Sequence, residues 1–335
     1  MAVHTLSKSL VATVTTIVAL TAVGNSGYAA PEELNGFDLT DCTINADQIK
    51  RGGPPKDGIP ALTEPATISN EKASYLNDED KVIGVQINGK ARAYPVRILN
   101  HHENVNDVLG DKPIAVTYCP LCHSAIVFNR KVGGEVREFG ISGLLWNSNV
   151  LLYDRKENGR SSLWSQVAMR AVCGPAAKKG LKLNVLSSHL VRWDRWCKQH
   201  TETSVLAPDT GYRRDYARNP YKRYFSTQQL MFPVTASRNE LTDYPNKEQL
   251  IVVRSGDHIK GYPFSELAAA TDANGTVKDT VGDTQIQLTY RSQTETATAS
   301  LAEKHLPEKD LGVAYMFWFA WKSVYPEADL FKATD

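Results

Sequence analysis

From Asp80 onward the apolar positions fall in short β-branched runs separated by turn signals. Lys81-Val-Ile-Gly-Val-Gln-Ile87 and Lys90-Ala-Arg-Ala-Tyr94 flank Asn88-Gly89, and an Asn-Gly pair between two such runs predicts a tight hairpin. Lys112-Pro-Ile-Ala-Val-Thr-Tyr118 and Ser124-Ala-Ile-Val-Phe-Asn-Arg130 read as two further strands, joined through Cys119-Pro120-Leu121-Cys122. Helical periodicity is confined to short stretches, so the pattern predicts an α+β fold rich in strands.

The pattern also repeats. Val105, Asp107, Gly110-Asp111, Ile114 and Thr117-Tyr118 match Val277, Asp279, Gly282-Asp283, Ile286 and Thr289-Tyr290, each displaced by the same 172 positions (118 to 290). Tyr94-Pro95 has a counterpart in Tyr262-Pro263, and Trp193-x-x-Trp196 in Trp318-x-x-Trp321. The order predicts an internal duplication, two related units packed as one globular body. The expected organisation is a signal peptide at 1–30, an irregular Pro- and Gly-rich lead-in at 31–79, a first unit at 80–207, an Arg- and Tyr-rich connector at 208–247 and a degenerate second unit at 248–335. Where the first unit has Cys119 and Cys122, the second has Arg291 and Thr294, so the scaffold is expected to form without the cysteines. Trp193 and Trp196, repeated in the second unit, are assigned to core packing.

The N-terminus changes the compartment. After Lys8 an uncharged run, Leu10 to Val23, leads to Gly27-Tyr28-Ala29-Ala30, which is the pattern of a cleaved secretory signal. The expected location is periplasmic or secreted, with no membrane attachment in the mature form. With 38 Lys and Arg against 37 Asp and Glu, the net charge of +1 provides no footprint for nucleic acid.

Five cysteines follow the signal, at 42, 119, 122, 173 and 197. An odd number in an oxidising compartment leaves at least one outside any intramolecular disulfide. Cys173 and Cys197, two single cysteines, are the default candidates for an ordinary disulfide, with Cys42 left unpaired or intermolecular.

The Cys-Pro-Leu-Cys turn carries the chemistry. A CxxC between strands converges two thiolates on one ion, and His102, Glu103 and His123 are the nearest candidates to complete the shell. Thiolate and imidazole together suit copper or zinc, and soft sulfur favours the cuprous ion. The reading is therefore an exported metal-binding protein, for metal handling or electron transfer, with Cys119, Cys122, His102, Glu103 and His123 as ligand candidates. Glu103 alternatively orients His102 from outside the shell. The rival is a thiol-disulfide oxidoreductase in which Cys119 attacks and Cys122 resolves, against which stands the lack of a helix N-terminus to acidify a thiol. Either activity implies a redox or metal-donor partner. A third reading is a binding module for a small ligand or partner.

Several motifs together resemble the DUF3179 family: His102-Glu103-x-Val105-Asn106-Asp107, Tyr118-Cys-Pro-Leu-Cys122, Ser142-Gly-Leu-Leu-x-Asn147-Ser148, Tyr153-Asp154-Arg155, Ser162-Leu-Trp164-Ser-Gln166 and Trp193-x-x-Trp196. The resemblance spans most of the mature chain and implies that His102, Glu103, Cys119 and Cys122 are family positions, whereas His123 departs from the family's usual residue. It implies no activity. The polar residues of these motifs, interleaved with Leu144, Leu145, Trp146 and Trp164, are expected to form an internal hydrogen-bond network or to line a pocket.

Overall fold

In the computed structural model, residues 1, 32–156, 159–303 and 311–333 are described. The expected signal peptide lies outside the described residues, Met1 apart. No helix among them is long and apolar enough to cross a membrane.

The predicted hairpin opens the first half: β1 (Lys81–Ile87) and β2 (Lys90–Pro95) pair up to Ile87 opposite Lys90. Asn88 and Gly89 both take positive φ, 48° and 75°, as the mirror-image turn requires. There follow α1 (Val96–His102), β3 (Asn104–Leu109), β4 (Lys112–Cys119), β5 (Ser124–Asn129), β6 (Phe139–Trp146) and β7 (Asn149–Asp154). The first half closes with β8 (His189–Arg192), α2 (Trp193–Gln199) and β9 (Ser204–Leu206). The second half runs β10 (Gln249–Ser255), β11 (His258–Pro263), α3 (Phe264–Ala270), β12 (Thr276–Val281), β13 (Thr284–Arg291), β14 (Thr296–Leu301), β15 (Leu311–Phe317), α4 (Trp318–Val324) and β16 (Asp329–Leu330).

The result is β-rich α+β, with several sheets and few, short helices. The largest sheet has the order β16-β11-β10-β15-β5-β4-β3, then Leu62–Thr63, so a strand of the second half pairs directly with a strand of the first. A second sheet has the order β8-β1-β2-β9, then Thr67–Ser69. Two ladders follow the same plan. β8 runs antiparallel to β1 and β9 parallel to β2, while β15 runs antiparallel to β10 and β16 parallel to β11.

The stretch expected as an irregular lead-in is part of this body. Lys50–Arg51 pairs with β6, Leu62–Thr63 with β3 and Thr67–Ser69 with β9. It also supplies a half-cystine, since Cys42 is bonded to Cys173. That corrects the expected Cys173–Cys197 pairing and the expectation that Cys42 is unpaired. Cys197 is a free thiol on α2, and the packing of the lead-in against Leu163 and Val172 brings Cys42 within reach of its partner across 131 residues.

Aromatic side chains fill the core, as expected for the repeated tryptophans. Trp196, Trp318 and Trp321 are fully buried and Trp193 nearly so. Trp196 packs so closely over β1 that a Cβ on Gly84 would lie 2.2 Å from its ring, which is why a strand interior there accepts glycine despite its cost.

A buried thiol pair under a connector

The two cysteines sit where β4 hands over to β5. Cys119 is the last residue of β4 and pairs with Ser124, and the intervening turn closes with His123 at φ +46°. The same geometry occurs at the end of β13, where Arg291 pairs with Thr296 and Glu295 takes φ +47°. A connection of the same length and outline thus occurs in this chain without cysteine.

A second hairpin meets this turn. Asn147 and Ser148 both take positive φ and form the two-residue connection between β6 and β7, with Trp146 opposite Asn149. The Ser148 carbonyl lies 3.3 Å from the Cys122 sulfur. Both thiols are buried, at 1% exposure for Cys119 and zero for Cys122.

Their environments pull them apart. Burial pushes the Cys119 thiol up, but the Cys122 thiol and the backbone N–H groups of Cys122, Val150 and Leu121 favour its charged form and hold it below its ordinary value. Burial, followed by the hydrogen bond and the charge of Cys119, pushes Cys122 well up, against a hydrogen bond from Asn149. The single S–H proton of Cys122 has two acceptors, the Ser148 carbonyl and the Cys119 sulfur. A charged sulfur is the stronger acceptor, so the proton belongs to Cys119 once that thiol ionises. The pair therefore favours ionisation at Cys119 and a retained proton on Cys122.

Glu103 is the third member. It caps α1 in the left-handed conformation, with φ 57°, and its carbonyl accepts from the Tyr118 N–H at 2.8 Å. In the second half, Gly275 at φ +73° offers its carbonyl to the Tyr290 N–H in the same way. Glycine is the inexpensive residue at such a position. Glu103 is nonetheless buried there, and burial first, then the charge of Cys119, raises its carboxyl well above the ordinary range.

His102 and His123 are held elsewhere. The His102 Nδ1–H donates to the Pro60 carbonyl at 2.8 Å, so its Nε2 is the acceptor of the Tyr216 hydroxyl at 2.6 Å. Burial lowers its pKa to about 4, which leaves it neutral at pH 7. His123 Nδ1 bonds the Tyr118 hydroxyl at 2.8 Å, and its ring packs against Phe225 and Phe317. Of the five expected ligands, Cys119 and Cys122 are brought together, and Glu103 is near enough for its charge and theirs to act on one another. Among the described residues no three His, Cys, Asp or Glu side chains form a group that could hold a metal ion.

The connector covers the site. The Tyr224 hydroxyl donates to the Leu121 carbonyl at 2.8 Å, the Ser148 hydroxyl to the Phe232 carbonyl at 3.2 Å, and the Thr235 N–H to Asn147 Oδ1 at 2.7 Å. Charge on Glu103 and Cys119 acts on Tyr221, and charge on Cys122 and Cys119 on Tyr224, each effect second to burial in raising that phenol. Tyr221, Tyr224 and Asn149 were missed as site residues. The tyrosine-rich composition of the connector was a signal for the first two, and a polar residue opening an otherwise apolar strand was one for Asn149.

Beneath the thiols, the expected network is present. Gln166 Oε1 accepts from Ser124 Oγ at 2.6 Å and Asn149 Nδ2 at 2.8 Å, while its Nε2 donates to Thr117 Oγ1 at 2.8 Å. Asp154 is buried against Arg137 and accepts from the Ser162 N–H at 2.6 Å. These contacts satisfy polar groups inside the core and fix the two hairpins that meet at the sulfurs.

No match was found among curated proteins or among solved structures. The model of a family described as a protein of unknown function, DUF3179, matches residues 56–306, and the chain belongs to that family.

Proposed function

We propose that Cys119 and Cys122 form a thiol-disulfide redox centre, with Cys119 as nucleophile, Cys122 as resolving thiol and Glu103 as the proton acceptor between them. The observation that carries this reading is the unequal setting of the pair: the Ser148 carbonyl lies 3.3 Å from the Cys122 sulfur and favours its thiol, while the N–H groups of Cys122, Val150 and Leu121 favour the charged form of Cys119. A helix N-terminus is not required when backbone N–H groups converge on the sulfur directly.

The chemistry balances with a disulfide as co-substrate. The Cys119 thiolate attacks one sulfur of the substrate disulfide, forming a mixed disulfide and expelling the other sulfur as a thiolate. Loss of the Cys119 charge removes the smaller of the two causes that keep Glu103 protonated, the expelled substrate thiolate takes the Glu103 proton, and the carboxylate then accepts that of Cys122. The Cys122 thiolate attacks the Cys119 sulfur, closing the Cys119–Cys122 disulfide and releasing the second substrate thiolate. Because both sulfurs are buried, the connector bearing Tyr221 and Tyr224 must shift to admit the substrate.

A second reading is favoured by the turn itself. A Cys-x-x-Cys knuckle between antiparallel strands with N–H groups directed at sulfur suits a soft cation, and two thiolates suffice for a cuprous ion. Elemental analysis with thiol counting, on protein purified without added metal, separates the two. The redox reading expects substoichiometric metal and two cysteines that oxidise together and are recovered by dithiol. Near-stoichiometric copper or zinc that disappears in Cys119→Ser overturns it in favour of the metal reading.

Two further proposals frame the site. Export to an oxidising compartment is supported by the Cys42–Cys173 disulfide, which is at home there. Internal duplication is supported by paired contacts. Tyr94 donates to Asp107 and Tyr262 to Asp279, while Arg92 pairs with Asp107 and Lys260 with Asp279. On this reading Glu103 replaced a glycine, and a buried carboxyl group in a left-handed position was retained at a cost of about 1–3 kcal/mol in backbone strain.

A further inference from the structure

The part of the connector that lies over the thiol turn is aromatic toward the body and basic toward water. Between Tyr212 and Tyr224 it holds Arg213, Arg214, Arg218, Lys222 and Arg223 against the single acid Asp215, a net charge of +4 in a chain whose total is +1. The rest of the molecule therefore carries a slight negative excess. Tyrosines fasten this strap from beneath. The Tyr216 hydroxyl donates to His102 at 2.6 Å and the Tyr224 hydroxyl to the Leu121 carbonyl at 2.8 Å, while Tyr221 packs against the core that contains Cys119, Leu121 and Cys122. The Arg218 carbonyl accepts from His101 Nε2 at 3.3 Å, which ties the backbone to the end of α1 as well.

The cations between these anchors are all exposed. Among the described residues their side chains make neither an ion pair nor a hydrogen bond, and Asp215 accepts instead from the Ala217 N–H at 3.1 Å. Arginines of the body are held differently: Arg92 pairs with Asp107, Arg97 with Asp80, Arg137 with Asp154 and Arg155 with Glu138. The strap cations thus do nothing for the fold. Lys222 and Arg223 also stand directly between Tyr221 and Tyr224, the two side chains that meet the thiol turn.

We propose that this strap docks an acidic segment of a peptide or protein disulfide, and that such disulfides are the substrates of Cys119 and Cys122. The inference rests on the redox reading of the pair. Four of the five cations are arginines, whose planar guanidinium matches a carboxylate in two-point fashion. A lipid surface or a nucleic acid also meets positive charge, but neither brings a disulfide to the sulfurs beneath. The exchange is unchanged: the Cys119 thiolate takes one sulfur of the peptide disulfide and the other leaves as a thiolate. Docking raises the rate of encounter, by roughly 10–10³ for a steered pair at low salt, and engages the same element that must shift to uncover the thiols.

The test compares three cystine-linked peptide dimers, flanked by glutamate, by serine or by lysine, with the uncharged 2-hydroxyethyl disulfide. The readout is the rate at which the full chain, in a Cys197→Ser background, loses its thiols, followed by acid quench, alkylation and mass. At low ionic strength the glutamate peptide is expected to react about tenfold or more faster than the serine peptide, with the lysine peptide slowest and the spread collapsing in about 1 M salt. Combining Arg213→Ser, Arg214→Ser and Arg218→Ser is expected to abolish most of that preference and to leave the rate with 2-hydroxyethyl disulfide unchanged, which also shows that the variant keeps its site. Peptides that react alike or not at all while 2-hydroxyethyl disulfide oxidises the pair, or a preference undiminished in the triple variant, would overturn the inference alone. Wild-type thiols that 2-hydroxyethyl disulfide leaves reduced would overturn the redox reading and this inference with it.

Discussion

Replacing Cys122 by alanine removes the thiol donor from the Cys119 sulfur while leaving the N–H groups of Cys122, Val150 and Leu121 in place. A hydrogen bond to a charged group contributes about 1.5–3 kcal/mol, and 1.36 kcal/mol corresponds to one pKa unit, so Cys119 should titrate about one to two units higher. Water entering the small space left behind would act in the opposite direction by solvating the thiolate. Cys122→Ser controls for this, because its hydroxyl still donates, and it should shift Cys119 by less than one unit. The assay is ultraviolet thiolate absorbance against pH. A Cys197→Ser background removes the one other free thiol, which burial and then the charges of Asp194 and Asp78 raise to about 11. An unchanged or lowered Cys119 pKa in Cys122→Ala would refute the reasoning, as would a serine variant shifted as far as the alanine one.

Glu103 should leave a signature in the pH dependence of stability. Its folded pKa is raised above 4.5 by burial and then by Cys119, so the native state keeps a proton that the unfolded chain has released. Its contribution is therefore fully present below pH 4.5 and is lost as pH rises through the folded value. Urea unfolding of Glu103→Gln, neutral at every pH, should decline less above pH 4.5 than the wild type, and parallel profiles would contradict this. The Cys42–Cys173 bond closes 131 residues, for which chain entropy gives about 5 kcal/mol and removal of native disulfides typically costs 2–5. Cys42→Ser should lower the denaturant-unfolding free energy by that order, and a loss below about 1 kcal/mol would show that the bridge adds little to the fold.

Local chemistry was legible in the chain where local geometry decides it. The Asn88-Gly89 hairpin follows from two residues that tolerate positive φ, and the strand–CxxC–strand order from alternating apolar runs on either side of the turn. The buried tryptophans of α2 and α4 were legible from their repetition along the chain. Contacts between distant segments were not. Nothing in the spacing of five cysteines says that Cys42 lies beside Cys173, because bridging depends on how the lead-in strands pair. His102 reads as a ligand candidate from its place beside Glu103, yet Pro60 and Tyr216, far away in the chain, claim both its ring nitrogens. Likewise, the asymmetry of the two thiols depends on Val150 and Asn149, which a separate hairpin delivers.

The most direct test of a redox centre is a redox titration of the Cys119–Cys122 pair. The full chain with Cys197→Ser is equilibrated in dithiol–disulfide buffers of stepped potential, quenched in acid, alkylated under denaturing conditions and weighed. The account predicts that the two thiols disappear together in one two-electron transition, with a tenfold change in ratio for each 30 mV or so. Thiols that stay reduced across the whole range, or that oxidise only after stoichiometric copper or zinc has been stripped, would contradict it.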